Sequence, residues 1–211
     1  MTKLFVFDCD DILLDWCEGM RAYLITKYPE IEFNTYYPMS YDLDGWVAST
    51  HIPPASEFMD DFANSEYFEH IPAVDMAVEC VKLLRSEANR VADDVEFCVL
   101  TKCGLGTNGI TLLMRTMNIQ NVFGDEIFDN IYVIESYQSK HAILEGLKSR
   151  YDVLAVVDDN ARNNYISSCL NLPSYMLRRS HNMKVSLPTD VVVCEDWEEL
   201  YSNLFQQLHS A

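Results

Sequence analysis

Four short stretches of this 211-residue chain are almost unbroken apolar sequence: LFVF at 4–7, VEFCVL at 95–100, NIYVI at 130–134 and VLAVV at 153–157. DVVVC at 190–194 is a fifth candidate. A strand with one face in water alternates apolar and polar residues. A strand covered on both faces reads as a continuous run, and such strands belong to parallel sheets with helices above and below. Helical patterns lie between the runs. In 76–90, Met76, Val78, Val81, Leu84 and Ala88 fall near one face, and 109–118 and 139–151 are similar, the last with Ser139 as N-cap. The expected fold is therefore α/β, a doubly wound parallel sheet.

One segment breaks the alternation. Between Trp16 and Pro72 there is a helical start, WCEGMRAYLITKY, then the Pro-punctuated aromatic passage PEIEFNTYYPMSYDLDGWV, then PPASEFMDDFANSEYF, with no strand-like run. We expect a small helical cap over 16–72, inserted after the first strand into a core made of 1–15 and 73–211.

Composition narrows the function. With 49% hydrophobic and 12% aromatic residues the chain can bury a full core. Its net charge of -18 opposes long nucleic acid and anionic membranes. A small anion could bind only where a local cation or metal offsets that field. The seven cysteines (Cys9, Cys17, Cys80, Cys98, Cys103, Cys169 and Cys194) form no C-x-x-C pair, so reduced thiols in a cytoplasmic protein are expected. No apolar run reaches membrane-spanning length, and MTKLFVFD leads directly into a strand, without a signal-peptide pattern. A homodimer is left open.

The first apolar run stops at Asp8, Asp10 and Asp11, three carboxylates that resist ionising together. In open α/β sheets, ligands bind beyond the carboxyl ends of the strands. Asp8 and Asp10 follow the first run, Thr101 and Lys102 the second, and Asp158 and Asp159 the fourth; Lys140 sits at a helix start between the last two groups. Asp8 and Asp158, with a backbone carbonyl and waters, would suit Mg2+, and the candidate metal residues are Asp8, Asp10, Asp158 and Asp159. An ionised Asp8 could attack phosphorus, and Asp10 could protonate the leaving oxygen and later activate water. Thr101 and Lys140, with Lys102 as a further candidate, would hold the phosphate oxygens.

FDCDDILLD (7–15), VLTK (99–102), Lys140 and VVDDN (156–160) resemble, in order, the four motifs of the haloacid dehalogenase superfamily. The resemblance implies a Mg2+-dependent phosphotransferase with Asp8 as nucleophile, Asp10 as acid/base, Thr101 and Lys140 on phosphate, and Asp158 with Asp159 at the metal. A narrower likeness is to the 5'(3')-deoxyribonucleotidases and related 5'-nucleotidases. They carry D-x-D-G-V-L-x-D and a cap segment of the form T-S-Y-D-L, similar to YPMSYDL at 37–43. It implies a nucleoside monophosphate as substrate. Asp11 stands where that pattern has Gly. Lys148 is nearer Asp158 in sequence, as in some nucleotidases, but falls late in its helix, so Lys140 is favoured.

Other residues read more plainly. Asp11 belongs to the turn, Asp15 and Glu18 to a hinge and a solvated helix face, and Cys9 to packing. Tyr37, Tyr41 and Trp46 could stack a base, but aromatics of a small inserted segment more often form its core. His51, His70, His141, His181 and His209 show no metal-ligand spacing and receive no role. A receiver-type phospho-acceptor would place its acidic pair first, and here it comes last. An inactive binding protein would be marked by a lost nucleophile or acid, and both positions hold Asp.

Overall fold

The structure, a computed structural model, describes residues 1–48, 53, 55–91, 94–103 and 109–210; His51 lies outside them. Six strands form one sheet: β1 (Lys3–Phe7), β2 (Val95–Cys103), β3 (Asn130–Glu135), β4 (Asp152–Val157), β5 (Ser174–Leu177) and β6 (Val191–Cys194). Their order is β3-β2-β1-β4-β5-β6, and every pairing is parallel. The expected fold class is the observed one. The fifth candidate run is β6, whereas β5 is an additional strand of four residues.

Helices cover both faces: α1 (Trp16–Lys27), α2 (Ala55–Ala63), α3 (Ala77–Val91), α4 (Gly109–Phe123), α5 (His141–Lys148), α6 (Ala161–Cys169) and α7 (Trp197–Ser210). None is long and apolar enough to cross a membrane among the described residues. Successive side chains of a strand point to opposite faces, and the core divides accordingly. Phe5, Phe7, Phe97, Val99, Ala155 and Val157 pack with residues of α3, α4 and α7. Leu4, Val6, Cys98, Leu100 and Val156 pack with Leu144 and Leu147 of α5. All seven cysteines are free thiols, and only Cys169 is exposed.

The chain runs outward from β1 through β2 to β3, then crosses back to place β4 on the other side of β1. The crevice between β1 and β4 is thus the switch point of the sheet, where ligands of such folds bind.

Residues 16–72 hold α1, a segment with one isolated bridge between Phe33 and Val47, α2 and a 3-10 turn at Glu66–Glu69. Where this segment leaves and rejoins the sheet, Asp15 N–H donates to the Pro72 carbonyl at 2.8 Å and Val74 N–H to the Leu13 carbonyl at 3.0 Å. Asn118 of α4 fastens the return by bonding both the N–H and the carbonyl of Ile71, at 3.2 and 3.0 Å. Met20, Leu24, Phe62 and Phe68 of the segment join the same apolar cluster as Phe7 and Val99 of the sheet. Trp46 is 1% exposed, with its ring 5.1 Å from that of Phe33. It is core, which removes it from the candidate stacking surface.

Candidate active site

Asp8 continues β1 by one residue, its N–H donating to the Val157 carbonyl at 2.8 Å. Asp158 continues β4 in the same way, donating to the Tyr175 carbonyl at 3.1 Å. By strand alternation Asp8 shares the face of Leu4 and Val6, and Lys140, immediately before α5, arrives on that face. The ammonium of Lys140 stands 2.8 Å from Asp8 Oδ1 and 2.7 Å from Asp158 Oδ2. Burial alone would lower the Lys140 ammonium, but Asp158 and Asp8 outweigh it and hold the group above its usual range. Lys148, two turns along α5, donates instead to the Leu170 carbonyl. Of the two lysines, Lys140 is the one at the carboxylates.

Asp8, Asp158 and Asp159 each offer a carboxylate oxygen within 4.8 Å of the others. Asp158 is fixed by the N–H of Asn160 at 2.9 Å and the side-chain amide of Asn163 at 3.1 Å, both on Oδ1. Asn164 holds the Asp158 carbonyl at 3.0 Å. Asp159 Oδ2 meets His181 Nε2 at 2.7 Å, and the Asn182 amide donates to the Asp159 carbonyl at 2.9 Å. Burial pushes the Asp8 carboxyl well above its usual range. Lys140 pulls it back, while Asp158 and Asp159 add to the rise. Burial also raises Asp159, against the pull of His181. Crowded carboxylates of this kind suit a hard divalent cation with oxygen ligands, whose charge would restore their ionised forms.

Asp10 lies past the strand end, in a different setting. Its Oδ1 is 2.6 Å from Nη2 of Arg115, a fully buried residue of α4. Burial lifts the Asp10 carboxyl to about 6, with Arg115 lowering it and Asp11 and Asp159 raising it. Its carboxylate stands outside the group formed by Asp8, Asp158 and Asp159, so the structure does not bring Asp10 to the other expected metal residues. Cys9, between the two aspartates, is fully buried in the core and accepts from Arg115 Nη1 at 3.4 Å.

Thr101, on β2 beside β1, is 0% exposed, and its hydroxyl has no hydrogen-bond partner among the described residues. A buried hydroxyl left unpaired costs about 1–3 kcal/mol, so Thr101 is a donor waiting for an acceptor. Lys102 is half-buried, on the face of Cys98 and Leu100; burial and Lys140 lower its ammonium, and Asp158 and Asp8 oppose them.

Asp11 adopts φ 57°, the left-handed region that glycine enters most easily. Its carboxylate accepts from the N–H and thiol of Cys17, at 3.3 and 3.2 Å. Asp15 caps α1 through Glu18 N–H at 2.9 Å and accepts from the Tyr37 hydroxyl at 3.0 Å. Tyr41 is exposed and its ring lies 5.7 Å from that of His181, at the margin of the site. His181, given no role from spacing, is the partner of Asp159. Arg115 is likewise a site residue that no motif marked. Its one signal was a lone charge within the otherwise uncharged helical run 109–123.

No protein-family model and no curated protein sequence matches the chain. Solved structures do. A HAD-type hydrolase, YfnB, from Bacillus subtilis, solved bound to magnesium, superposes with a TM-score of 0.63 at 13% identity over 97% of this chain and 99% of that one. The fold is that of the haloacid dehalogenase-like hydrolases. A D,D-heptose 1,7-bisphosphate phosphatase from B. bronchiseptica, complexed with magnesium and phosphate, gives a TM-score of 0.56 at 13% identity over 97% and 99% of the two chains. An L-2-haloacid dehalogenase gives 0.55 at 11% identity over 97% and 100%. The HAD-type fold is therefore shared nearly end to end with enzymes of more than one chemistry.

Proposed function

We propose that this chain is a HAD-type hydrolase acting as a Mg2+-dependent phosphomonoesterase through an aspartyl-phosphate on Asp8. The observation that carries the reading is the grouping of Asp8 and Asp158 about the buried ammonium of Lys140 at the ends of β1 and β4. Asp8, Asp158 and Asp159 would hold the metal, which when bound supplies charge neutralisation and orients the phosphate. Asp8 attacks phosphorus as the bond to the leaving oxygen breaks. Asp10 gives that oxygen its proton, then takes one from the water that hydrolyses the acyl phosphate. Lys140 and Thr101 bind equatorial oxygens as charge spreads over them, with Lys102 close by.

A dehalogenase shares the fold but has no phosphate to neutralise. The three-carboxylate group favours phosphoryl chemistry. The segment 16–72 acts as the cap, excluding water and choosing the leaving group. The likeness of YPMSYDL to the nucleotidase cap points to a nucleoside monophosphate, with Tyr41 at the margin available for a base. The protein is read as cytoplasmic, with a small phosphorylated metabolite rather than a polymer as its partner.

The test is phosphate release from nucleoside 5'- and 3'-monophosphates and sugar phosphates, with Mg2+, with EDTA and with Asp8→Asn protein. Turnover that requires Mg2+ and disappears in Asp8→Asn is the expected result, and the preferred substrate tests the nucleotide assignment. Metal-independent turnover, or activity surviving in Asp8→Asn, overturns the mechanism.

A further inference from the structure

Arg115 occupies the middle of α4 and is 0% exposed. Burying a guanidinium is expensive unless its charge is met. The carboxylate that meets it is Asp10, at 2.6 Å from Nη2. Two further contacts fix the guanidinium in place. The Phe68 ring lies 4.3 Å beneath Cζ, and Cys9 Sγ accepts from Nη1 at 3.4 Å. The planar cation therefore lies between an aromatic face and the loop that carries the aspartates, with little freedom to follow a moving carboxylate.

The two oxygens of Asp10 are not equivalent. Oδ1, the one facing Arg115, is out of water, while the Asp10 side chain as a whole is 31% exposed. Oδ2 is not among the buried atoms, and no hydrogen bond holds it among the described residues. One oxygen is held and the other is left accessible. Phe68 belongs to the inserted segment, and Asn118, three residues beyond Arg115 on α4, fastens the return of that segment at Ile71. The cation that orients Asp10 thus rests on the insertion as well as on the sheet.

We infer that Arg115 is a positioning residue that clamps Asp10 Oδ1 and so aims Oδ2 at the leaving-group oxygen. The inference rests on the phosphomonoesterase reading. In the step concerned, an Asp8 oxygen bonds to phosphorus, the bond from phosphorus to the leaving oxygen breaks, and that oxygen takes its proton from Asp10 Oδ2. An alkyl alcohol is a poor leaving group and needs this proton, whereas p-nitrophenolate leaves without it. Loss of aim should therefore penalise one substrate and not the other.

The experiment measures kcat/KM, which reports the chain of steps through formation of the aspartyl-phosphate, for an alkyl phosphate and for p-nitrophenyl phosphate in the Mg2+-loaded protein. Arg115→Met is expected to lower the ratio of alkyl to aryl kcat/KM by roughly a hundredfold, the lower range of a general-acid contribution. Asp10→Asn should lower it at least as far, and Arg115→Lys should recover part of the ratio. Phe68→Leu, which removes the ring and keeps every charge, guards against a folding defect in Arg115→Met and should move the ratio in the same direction by a smaller factor. An unchanged ratio in the Arg115 variants, or equal losses on both substrates, overturns the inference while the wild-type activity stands. Absence of Mg2+-dependent turnover in the wild type overturns the phosphomonoesterase reading itself, and the inference with it.

Discussion

Lys140 Nζ and Asp158 Oδ2 meet at 2.7 Å with both side chains 2% exposed, and Asp8 flanks the same ammonium at 2.8 Å. Removing one member of a buried pair strands the other's charge, at a cost of about 3–5 kcal/mol. Lys140→Met is therefore expected to lower the unfolding free energy by about 3 kcal/mol in urea denaturation and to abolish phosphate turnover. Lys148→Met, whose amine donates to the Leu170 carbonyl away from the carboxylates, should keep turnover within about twofold and stability within about 0.5 kcal/mol. Equal losses in the two variants would reassign the phosphate lysine.

Metal binding can be followed without any substrate. A cation that binds the folded chain alone raises its stability, by about 2.7 kcal/mol at a hundredfold excess over Kd. For a chain of this size that is a rise of roughly 5–10 °C in Tm. Mg2+ should raise the melting temperature of the wild type by several degrees, and Asp158→Asn should lose that rise. Asp10→Asn, whose carboxylate stands outside the three-carboxylate group, should retain it. Loss of the rise in Asp10→Asn would bring that carboxylate among the ligands.

The pH dependence of the metal-free protein should run against the usual direction. Burial raises Asp8, Asp159 and Asp10, the last to about 6. A carboxyl with a raised folded pKa holds its proton when the unfolded chain has already released it. Stability therefore falls as pH rises from the ordinary carboxylate range, about 4, through the raised value. His181 acts in the same sense at higher pH. Burial alone would lower it, but Asp159 outweighs burial and raises it, so its stabilisation is present below its usual value and is lost above. Glu87, pulled down to about 2 chiefly by Arg90, changes stability only below this window. In EDTA, urea midpoints should decline from about pH 5 to about pH 7, and Mg2+ should flatten the decline. A midpoint that rises over this interval in EDTA would contradict the crowded-carboxylate account.

The central strands β1, β2 and β4 were legible because strands buried on both faces leave continuous apolar runs, and these runs end at the residues that the edge brings together. β3, also expected to be buried, is an edge strand with every residue only partly covered. β5 was not legible: Ser174–Leu177 spans four residues, and one of them, Ser174, spends its hydroxyl on Asn164 at 2.8 Å. α6 escaped for a related reason. Its buried residues are Asn163, Asn164 and Ser167, two of which hold the Asp158 loop, so no apolar periodicity marks the helix. Arg115 and His181 were invisible because each acts through a contact made across the fold, 105 positions from Asp10 in one case and 22 from Asp159 in the other. Asp11 was assigned to a turn, and the Gly that the related pattern holds at this position was the one hint that its backbone is left-handed.

Asp11 allows backbone and side chain to be separated. At φ 57° an ordinary L-residue is strained by about 1–2 kcal/mol, while glycine is not, although glycine loses more chain entropy on folding. Replacing Asp11 by either Ala or Gly removes the same acceptor from the Cys17 N–H and thiol. That loss cancels in the comparison, and the difference between the variants isolates the backbone. Asp11→Ala should be less stable than Asp11→Gly by about 1 kcal/mol in urea denaturation. Asp11→Gly should also keep more of the proposed phosphatase activity, because the turn that carries Asp10 retains its shape. If the Ala variant proves as stable as the Gly variant, the turn does not hold its left-handed residue in solution, and the geometry that delivers Asp10 to the cleft must be built another way.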